Sequence, residues 1–177
     1  MIRRIYLLSI LAMVITTCTT RHQVIFPVLL AKFTEHDVDV SIQLERITAG
    51  DYFLSATFTP PDGFHLYSKD IPTGGVDGLG RPTLLELTGE SHMTLLGEVV
   101  ESAPAETPNF EPKELLVYPP GAVTLRLPVK LPPGNGWMDD VVKVTYMACS
   151  DGGCKAPVTG KLVPVRVPGA GTLDSQE

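Results

Sequence analysis

The sequence predicts an all-β fold, an immunoglobulin-like antiparallel β-sandwich. Three observations predict it. Apolar residues alternate with polar ones at a period of two, no long segment carries a helical apolar stripe, and 16 prolines and 16 glycines punctuate the chain. A period of two is typical of a half-buried strand, whereas proline and glycine mark turns. A chain of 177 residues is long enough for one domain with a hydrophobic core and short for two.

The predicted strands follow one another along the chain. The clearest alternation places these apolar residues on shared faces: Val38, Val40, Ile42 and Leu44; Tyr52, Leu54, Ala56 and Phe58; Val123, Leu125, Leu127 and Val129; Val142, Val144 and Tyr146. Weaker candidates are residues 83–87, 93–100 and 162–167. Seven or so short strands favour a sandwich over residues 33–168. Residues 169–177 are small and polar, and we expect a flexible tail there.

Residues 1–22 are predicted to be a secretory signal peptide. Arg3 and Arg4 precede an apolar run that ends at Ile15, about half of the ~20 residues that a membrane-spanning helix needs. The segment "ITTC" resembles a bacterial lipobox, whose cysteine becomes lipidated, although Thr17 stands where a smaller residue is usual. Two alternatives therefore stay open: a membrane tether through lipidated Cys18, or loss of Cys18 with the signal. The apolar residues 24–31 leave the cleavage position open as well.

The charge balance bears on the partners. The chain has 14 Lys and Arg against 20 Asp and Glu, a net charge of -6, which argues against nucleic acid as a partner. We find no motif of a nucleotide or flavin site, and we expect no cofactor. No Cys or His has the spacing of a zinc module, and we expect no metal. A soft metal held by two thiolates with Met147, His65 or His92 is a remote alternative.

The segment "YMACSDGGCKAP" contains Cys149 and Cys154, separated by four residues that include Gly152 and Gly153. The two glycines favour a sharp turn, which makes a bond between the sulfurs sterically plausible. Oxidation to a structural disulfide is the commonest fate of such a pair in an exported protein. A closed loop of six residues, however, contributes only about 2 kcal/mol in the chain-entropy model. A local disulfide at a loop tip is also open to exchange with partners. The residues alone leave a structural and a redox-active disulfide open.

Three segments carry a family resemblance. "VTYMACSDGGCKAPVTGKLVPV" resembles the cysteine-bearing hairpin of the N-terminal periplasmic domain of the thiol:disulfide interchange protein DsbD family. "PDGFHLYSKDIPTGG" and "NFEPKELLVYPPGAVTLRLPV" resemble two further segments of that domain, in the same order. The three matches lie within residues 38–167. The resemblance implies an immunoglobulin-like thiol:disulfide oxidoreductase without a cofactor. It would relay electrons between a membrane electron transporter, thioredoxin-like proteins and oxidised periplasmic proteins.

The resemblance also implies roles for particular residues. Cys154 matches the cysteine that forms the mixed disulfide with partners, and Cys149 matches the one that resolves it. Phe110 matches the cap residue that shields the pair, and Tyr67 matches a tyrosine beside it. His65 stands where the family often has an aromatic neighbour. The alternative function is an exported immunoglobulin-like binding module with a structural disulfide.

One departure concerns proton transfer. Pro108 and Asn109 stand where some members of the family have acids. An acid that assists proton transfer is therefore unassigned, with Glu106 and Glu111 as loose candidates. Asp151 disfavours a nearby thiolate and Lys155 favours one.

Overall fold

The computed structural model describes residues 25–48 and 50–174. The predicted signal peptide, Cys18 and the last three residues of the predicted tail lie outside these ranges. The described elements are β1 (Val28–Glu35), β2 (Val38–Thr48), β3 (Asp51–Thr59), β4 (His65–Leu66), β5 (Leu84–Leu87), β6 (Thr94–Leu95), β7 (Val100–Glu101), β8 (Val123–Lys130), β9 (Trp137–Tyr146), β10 (Ala148–Ser150), β11 (Gly153–Cys154), β12 (Val158–Pro168) and α1 (Ala170–Asp174).

Two antiparallel sheets form the sandwich. The larger has the strand order β1-β2-β3-β8-β6, with β7 also paired to β8, and the smaller has the order β12-β9-β5. Apolar side chains from the two sheets form one continuous buried core. This arrangement confirms the all-β, immunoglobulin-like sandwich that the sequence predicts.

The period-two pattern correctly identified four buried strand faces of the core. Every apolar residue that the four clearest segments placed on a shared face is at most 5% exposed. The weaker candidates also contain strands: residues 83–87 contain β5, and residues 162–167 lie within β12. Residues 93–100 contain β6 and the start of β7, and both strands pair with β8.

The first strand, β1, was not predicted. It pairs with β2 from Val28 opposite Leu44 to Glu35 opposite Val38, so the predicted domain start at residue 33 lies inside a strand. The turn between β1 and β2 consists of His36 and Asp37, at φ values of 52° and 62°. Such a hairpin turn usually carries glycine or asparagine, and its absence hid the hairpin from sequence analysis.

The expected flexible tail is also different in the structure, which has the short helix α1 at residues 170–174. Leu173, the one large apolar residue of this segment, is 1% exposed in the sandwich core. The backbone N–H groups of Gly169, Ala170 and Gly171 donate to the carbonyls of residues 136, 132 and 134. Burial of one leucine is worth about 1.5–3 kcal/mol and, together with these hydrogen bonds, offsets part of the cost of ordering the segment.

A third, small sheet lies after the end of β9 and has the order β11-β10-β4. Strand β10 begins two residues after β9 ends, so this core strand leads directly into the cysteine hairpin. In the part of the chain that the structure describes, no helix is long and apolar enough to cross a membrane.

Candidate functional site

Cys149 and Cys154 form a disulfide that joins β10 to β11. The two residues are direct cross-strand partners, with an S–S distance of 2.00 Å and a Cα–Cα distance of 4.0 Å. The sequence suggested that this bond was feasible, and the structure contains it.

The turn that closes the hairpin has Asp151 and Gly152 at its tip, between Ser150 and its cross-strand partner Gly153. Of the two glycines only Gly153 has a positive φ, of 137°, where an L side chain is strained. The Ser150 hydroxyl accepts from the Gly152 N–H at 3.3 Å and donates to the Gly153 carbonyl at 3.3 Å. These bonds hold the turn from within.

The two cysteines differ in accessibility. Cys149 is 2% exposed and belongs to a small apolar cluster, separate from the main core, with Tyr67, Ile71 and Leu115. Cys154 is exposed at the surface. A protein thiolate that attacks a disulfide must reach a sulfur directly, so access favours attack at Cys154. The order of attack itself remains a prediction.

Strand β4 adds His65 to the same face of this sheet. His65 is the direct cross-strand partner of Cys149, and Cys149 is that of Cys154. Directly opposed residues point their side chains to one face, with Cβ atoms about 4.5–5.5 Å apart. His65, Cys149 and Cys154 therefore form a row of side chains across three strands.

Aromatic rings pack around His65. The Tyr67 ring meets it edge-on, with centroids 5.3 Å apart, and the Phe110 ring stacks on it at 5.7 Å. The His65 Nε2 atom is shielded from solvent and has no hydrogen-bond partner among the residues that the structure describes. Leaving a buried polar atom unpaired costs about 1–3 kcal/mol, so such an atom calls for an explanation. Burial lowers the pKa of His65, and the negative charge of Asp151 opposes this shift.

Phe110 is carried by residues 107–116, which we call the cap segment. The segment is closed at its base by Glu106 and Val117, whose backbones exchange hydrogen bonds of 2.7 and 3.0 Å. The chain beyond it is attached to β4, because the Tyr118 N–H donates to the Leu66 carbonyl at 2.8 Å. Phe110 is partly buried against the cluster that contains Cys149. This position is compatible with a cap over Cys149, and the shielding role itself stays a prediction.

Tyr67 is 4% exposed and is a member of the apolar cluster that contains Cys149. Its carbonyl accepts from the Thr83 N–H at 3.2 Å and the Thr83 hydroxyl at 2.8 Å. Gly80 lies against its ring: a Cβ there would approach the ring to 3.3 Å and Leu115 Cδ1 to 2.8 Å, at a φ of 71°. Burial raises the pKa of the Tyr67 phenol, which therefore stays neutral at physiological pH.

The charged residues near the hairpin are mostly engaged elsewhere. Lys155 Nζ lies 2.6 Å from Asp37 Oδ2 and 5.1 Å from the centroid of the Phe64 ring. The two loose candidates for an assisting acid, Glu106 and Glu111, are both exposed. Glu111 pairs at 3.7 Å with Lys113. The titratable side chain that shares a row with the two sulfurs is instead His65, which the sequence predicted as a neighbour of the pair and as a ligand in the remote metal alternative.

The described residues provide no ligand set for the metal site that was a remote alternative. Across residues 25–48 and 50–174, no three or more His, Cys, Asp or Glu side chains are grouped to hold a metal ion. His92 lies away from the two cysteines, with its Nδ1 atom 4.0 Å from Asp140 Oδ2. Met147 packs against the Cys149 cluster as an apolar side chain.

Fold and site together define an antiparallel β-sandwich with a disulfide hairpin, one sulfur buried and one exposed. No family model and no curated protein matches the chain. Among solved structures, the chain is similar to the N-terminal domain of DsbD from Neisseria meningitidis in its reduced form. The TM-score is 0.43 and the identity 15%, over 72% of this chain and 83% of that one.

Proposed function

We propose that the chain exchanges thiols and disulfides with partner proteins through Cys149 and Cys154, as a relay of reducing equivalents in the periplasm. The observation that carries this proposal is the asymmetry of the bond: Cys154 is exposed on β11, whereas its cross-strand partner Cys149 on β10 is 2% exposed. An exchangeable disulfide needs one sulfur that a partner can reach and a second that stays close enough to resolve the intermediate.

The exchange balances without a cofactor. In the direction that reduces a partner, the Cys154 thiolate attacks the partner disulfide, forms a mixed disulfide and releases one partner thiolate. The Cys149 thiolate then attacks Cys154 Sγ, the intramolecular bond forms, and the second partner thiolate leaves. The partner gains two electrons and two protons, and the domain loses them. A reduced partner regenerates the dithiol by the same steps in reverse.

The proposed partners follow from the motif resemblance. A thioredoxin-like protein and a membrane electron transporter would supply or accept the electrons, since no motif of a nucleotide or flavin site occurs in the sequence. Export to the periplasm, with or without a lipid on Cys18, is part of this proposal, because a disulfide relay works in a compartment where disulfides persist.

The alternative is an exported binding module whose disulfide is structural. The bond closes a ring of only six residues and is a weak stabiliser, about 2 kcal/mol. It does connect β11 to β10 and, through β10, to β4, so a purely local staple is physically coherent. The reduction potential separates the two functions.

The test begins with that potential, measured by equilibrating the folded protein in dithiol redox buffers. Structural disulfides of secreted proteins typically lie below about -300 mV. We expect the Cys149–Cys154 bond to lie above that value. A potential well below it would favour the structural disulfide.

Trapping then tests the order of attack. The Cys149→Ser variant should accumulate a mixed disulfide through Cys154 with a thioredoxin-like partner, because no thiol is left to resolve it. The matched Cys154→Ser variant should trap little, since its remaining thiol is buried. Mass spectrometry of the adducts identifies the linked cysteine. Equal trapping by both variants, or none by either, would contradict an ordered relay.

A further inference from the structure

Two features of His65 have no part in the thiol exchange itself. Its ring is placed directly opposite Cys149 by the pairing of β4 with β10. Its Nε2 atom is shielded from solvent without a partner among the described residues, between the rings of Tyr67 and Phe110. In the oxidised state the neighbouring sulfur has no proton to donate. Reduction creates a thiol at Cys149, and with it a hydrogen-bond donor on the residue directly opposite His65.

We propose that His65 accepts the proton of the Cys149 thiol in the step that resolves the mixed disulfide, an inference that rests on the proposed relay. The unpaired Nε2 is then explained as an acceptor that is used only in the reduced and mixed-disulfide states. Cys154, which is exposed, exchanges its proton with solvent and needs no such group.

The step conserves atoms, electrons and protons. Neutral His65 takes the proton from Cys149 Sγ, and the thiolate attacks Cys154 Sγ in the mixed disulfide. The new bond joins Cys149 to Cys154, the bond from Cys154 to the partner sulfur breaks, and the partner leaves as a thiolate. That thiolate recovers a proton from the His65 imidazolium or from water. Proton transfer of this kind needs a positioned base that is neutral at the working pH.

The surroundings keep His65 in its base form. Burial lowers its pKa, so the neutral ring persists to a lower pH than for a free histidine. The charge that opposes this shift is Asp151, on the turn after β10. Tyr67 faces the ring as a phenol whose pKa burial raises, and it stays neutral.

Of the remaining charged groups on the packed segments, Glu106 and Glu114 are exposed to solvent, and the others form ion pairs. Glu111 of the cap segment pairs with Lys113 at 3.7 Å. Lys155, which follows β11, pairs with Asp37 at 2.6 Å. His65 is therefore the group beside Cys149 that can gain and lose a proton near neutral pH.

The test follows both exchange steps in one reaction. The reduced, full-length protein is mixed with an aromatic disulfide reagent that releases a coloured thiolate. Release of the first equivalent of coloured thiolate reports attack by Cys154, and release of the second reports resolution of the mixed disulfide by Cys149. For a thiol with an ordinary pKa of about 8.5, the fraction present as thiolate falls about tenfold for each pH unit below that value. In His65→Phe the second phase should therefore slow about a hundredfold between pH 8 and pH 6, against about tenfold or less in the unaltered protein.

Three comparisons keep the outcome specific. His65→Phe keeps an aromatic ring between Tyr67 and Phe110, and its first phase should match that of the unaltered protein. His65→Gln, which has an amide of similar reach that does not titrate, should show the same steep pH profile and covers the case in which the phenylalanine variant folds poorly. His92→Phe, the same change at a side chain that is 54% exposed on another part of the sandwich, should alter neither phase.

One result would overturn the role of His65, and a different result would overturn the ordered relay. An unchanged pH profile of the second phase in both His65 variants removes His65 from proton transfer while leaving the relay intact. A single phase in the unaltered protein, or a first equivalent that does not depend on Cys154, contradicts the ordered relay itself.

Discussion

Removing the disulfide should lower the stability of the domain by a small, calculable amount. The bond closes a ring of six residues, for which the chain-entropy model gives about 2 kcal/mol. With a urea dependence of roughly 2 kcal/mol per molar, the unfolding midpoint should fall by about 1 M in the reduced protein, which should remain folded.

The two cysteines should contribute differently to that loss. Cys154 is exposed, so Cys154→Ala should match the reduced protein to within a few tenths of a kcal/mol. Cys149 is 2% exposed, and Cys149→Ala leaves a small cavity beside Leu115 and Tyr67. That cavity should cost about 1 kcal/mol more.

The assay is urea unfolding followed by far-ultraviolet circular dichroism, with and without a dithiol reductant. The double variant Cys149→Ala/Cys154→Ala is the control, because its midpoint should not respond to reductant. The reasoning is refuted if reduction alone unfolds the domain, since the hairpin would then be a main support of the fold. Equal midpoints for the two single variants would contradict the difference in burial.

Three further predictions concern the surroundings of the bond. Phe110→Ala should speed reduction of the disulfide by a small dithiol severalfold and cost about 1–2 kcal/mol, less than the 3–5 of a fully buried phenylalanine; an unchanged rate in a quenched-flow assay would remove Phe110 from the cap. The folded-state pKa of His65 lies below its ordinary value of 6.5, so between those two values the unfolded chain binds more protons and the free energy of unfolding declines as the pH falls. The His65→Phe variant should lose this part of the decline when urea midpoints are measured at pH 7, 6 and 5. An identical pH dependence in the two proteins would argue against a buried neutral ring. A chain that begins at residue 32 lacks half of β1 and should be about 2–4 kcal/mol less stable than one that begins at residue 25, whereas equal thermal midpoints would show that this half-strand contributes nothing.

The sequence by itself determined the buried faces of four strands at the centre of the core. The alternation in β2, β3, β8 and β9 predicted buried faces that the structure contains, because a pleated strand presents successive side chains to opposite sides wherever it lies in the sheet. The cysteine hairpin was equally local. Its turn residues and the two sulfurs lie within six positions, so short-range sterics decide whether they meet.

Local signals failed where the chain lacked the usual marker. The β1–β2 turn uses His36 and Asp37 at positive φ in place of glycine, and β1 was therefore missed. The tail looked small and polar, yet Leu173 is held by the sandwich core, a contact that no window of a few residues contains.

Only the tertiary structure decided which side chain accompanies the sulfurs. His65 and Cys149 are 84 positions apart, and they become neighbours through the register of β4 against β10. The same holds for the difference in burial, since Tyr67, Leu115 and Phe110 reach Cys149 from distant parts of the chain. A strand pattern specifies which face a residue occupies, but the pairing of distant strands depends on how the whole core packs, and that is settled only when the sheets assemble.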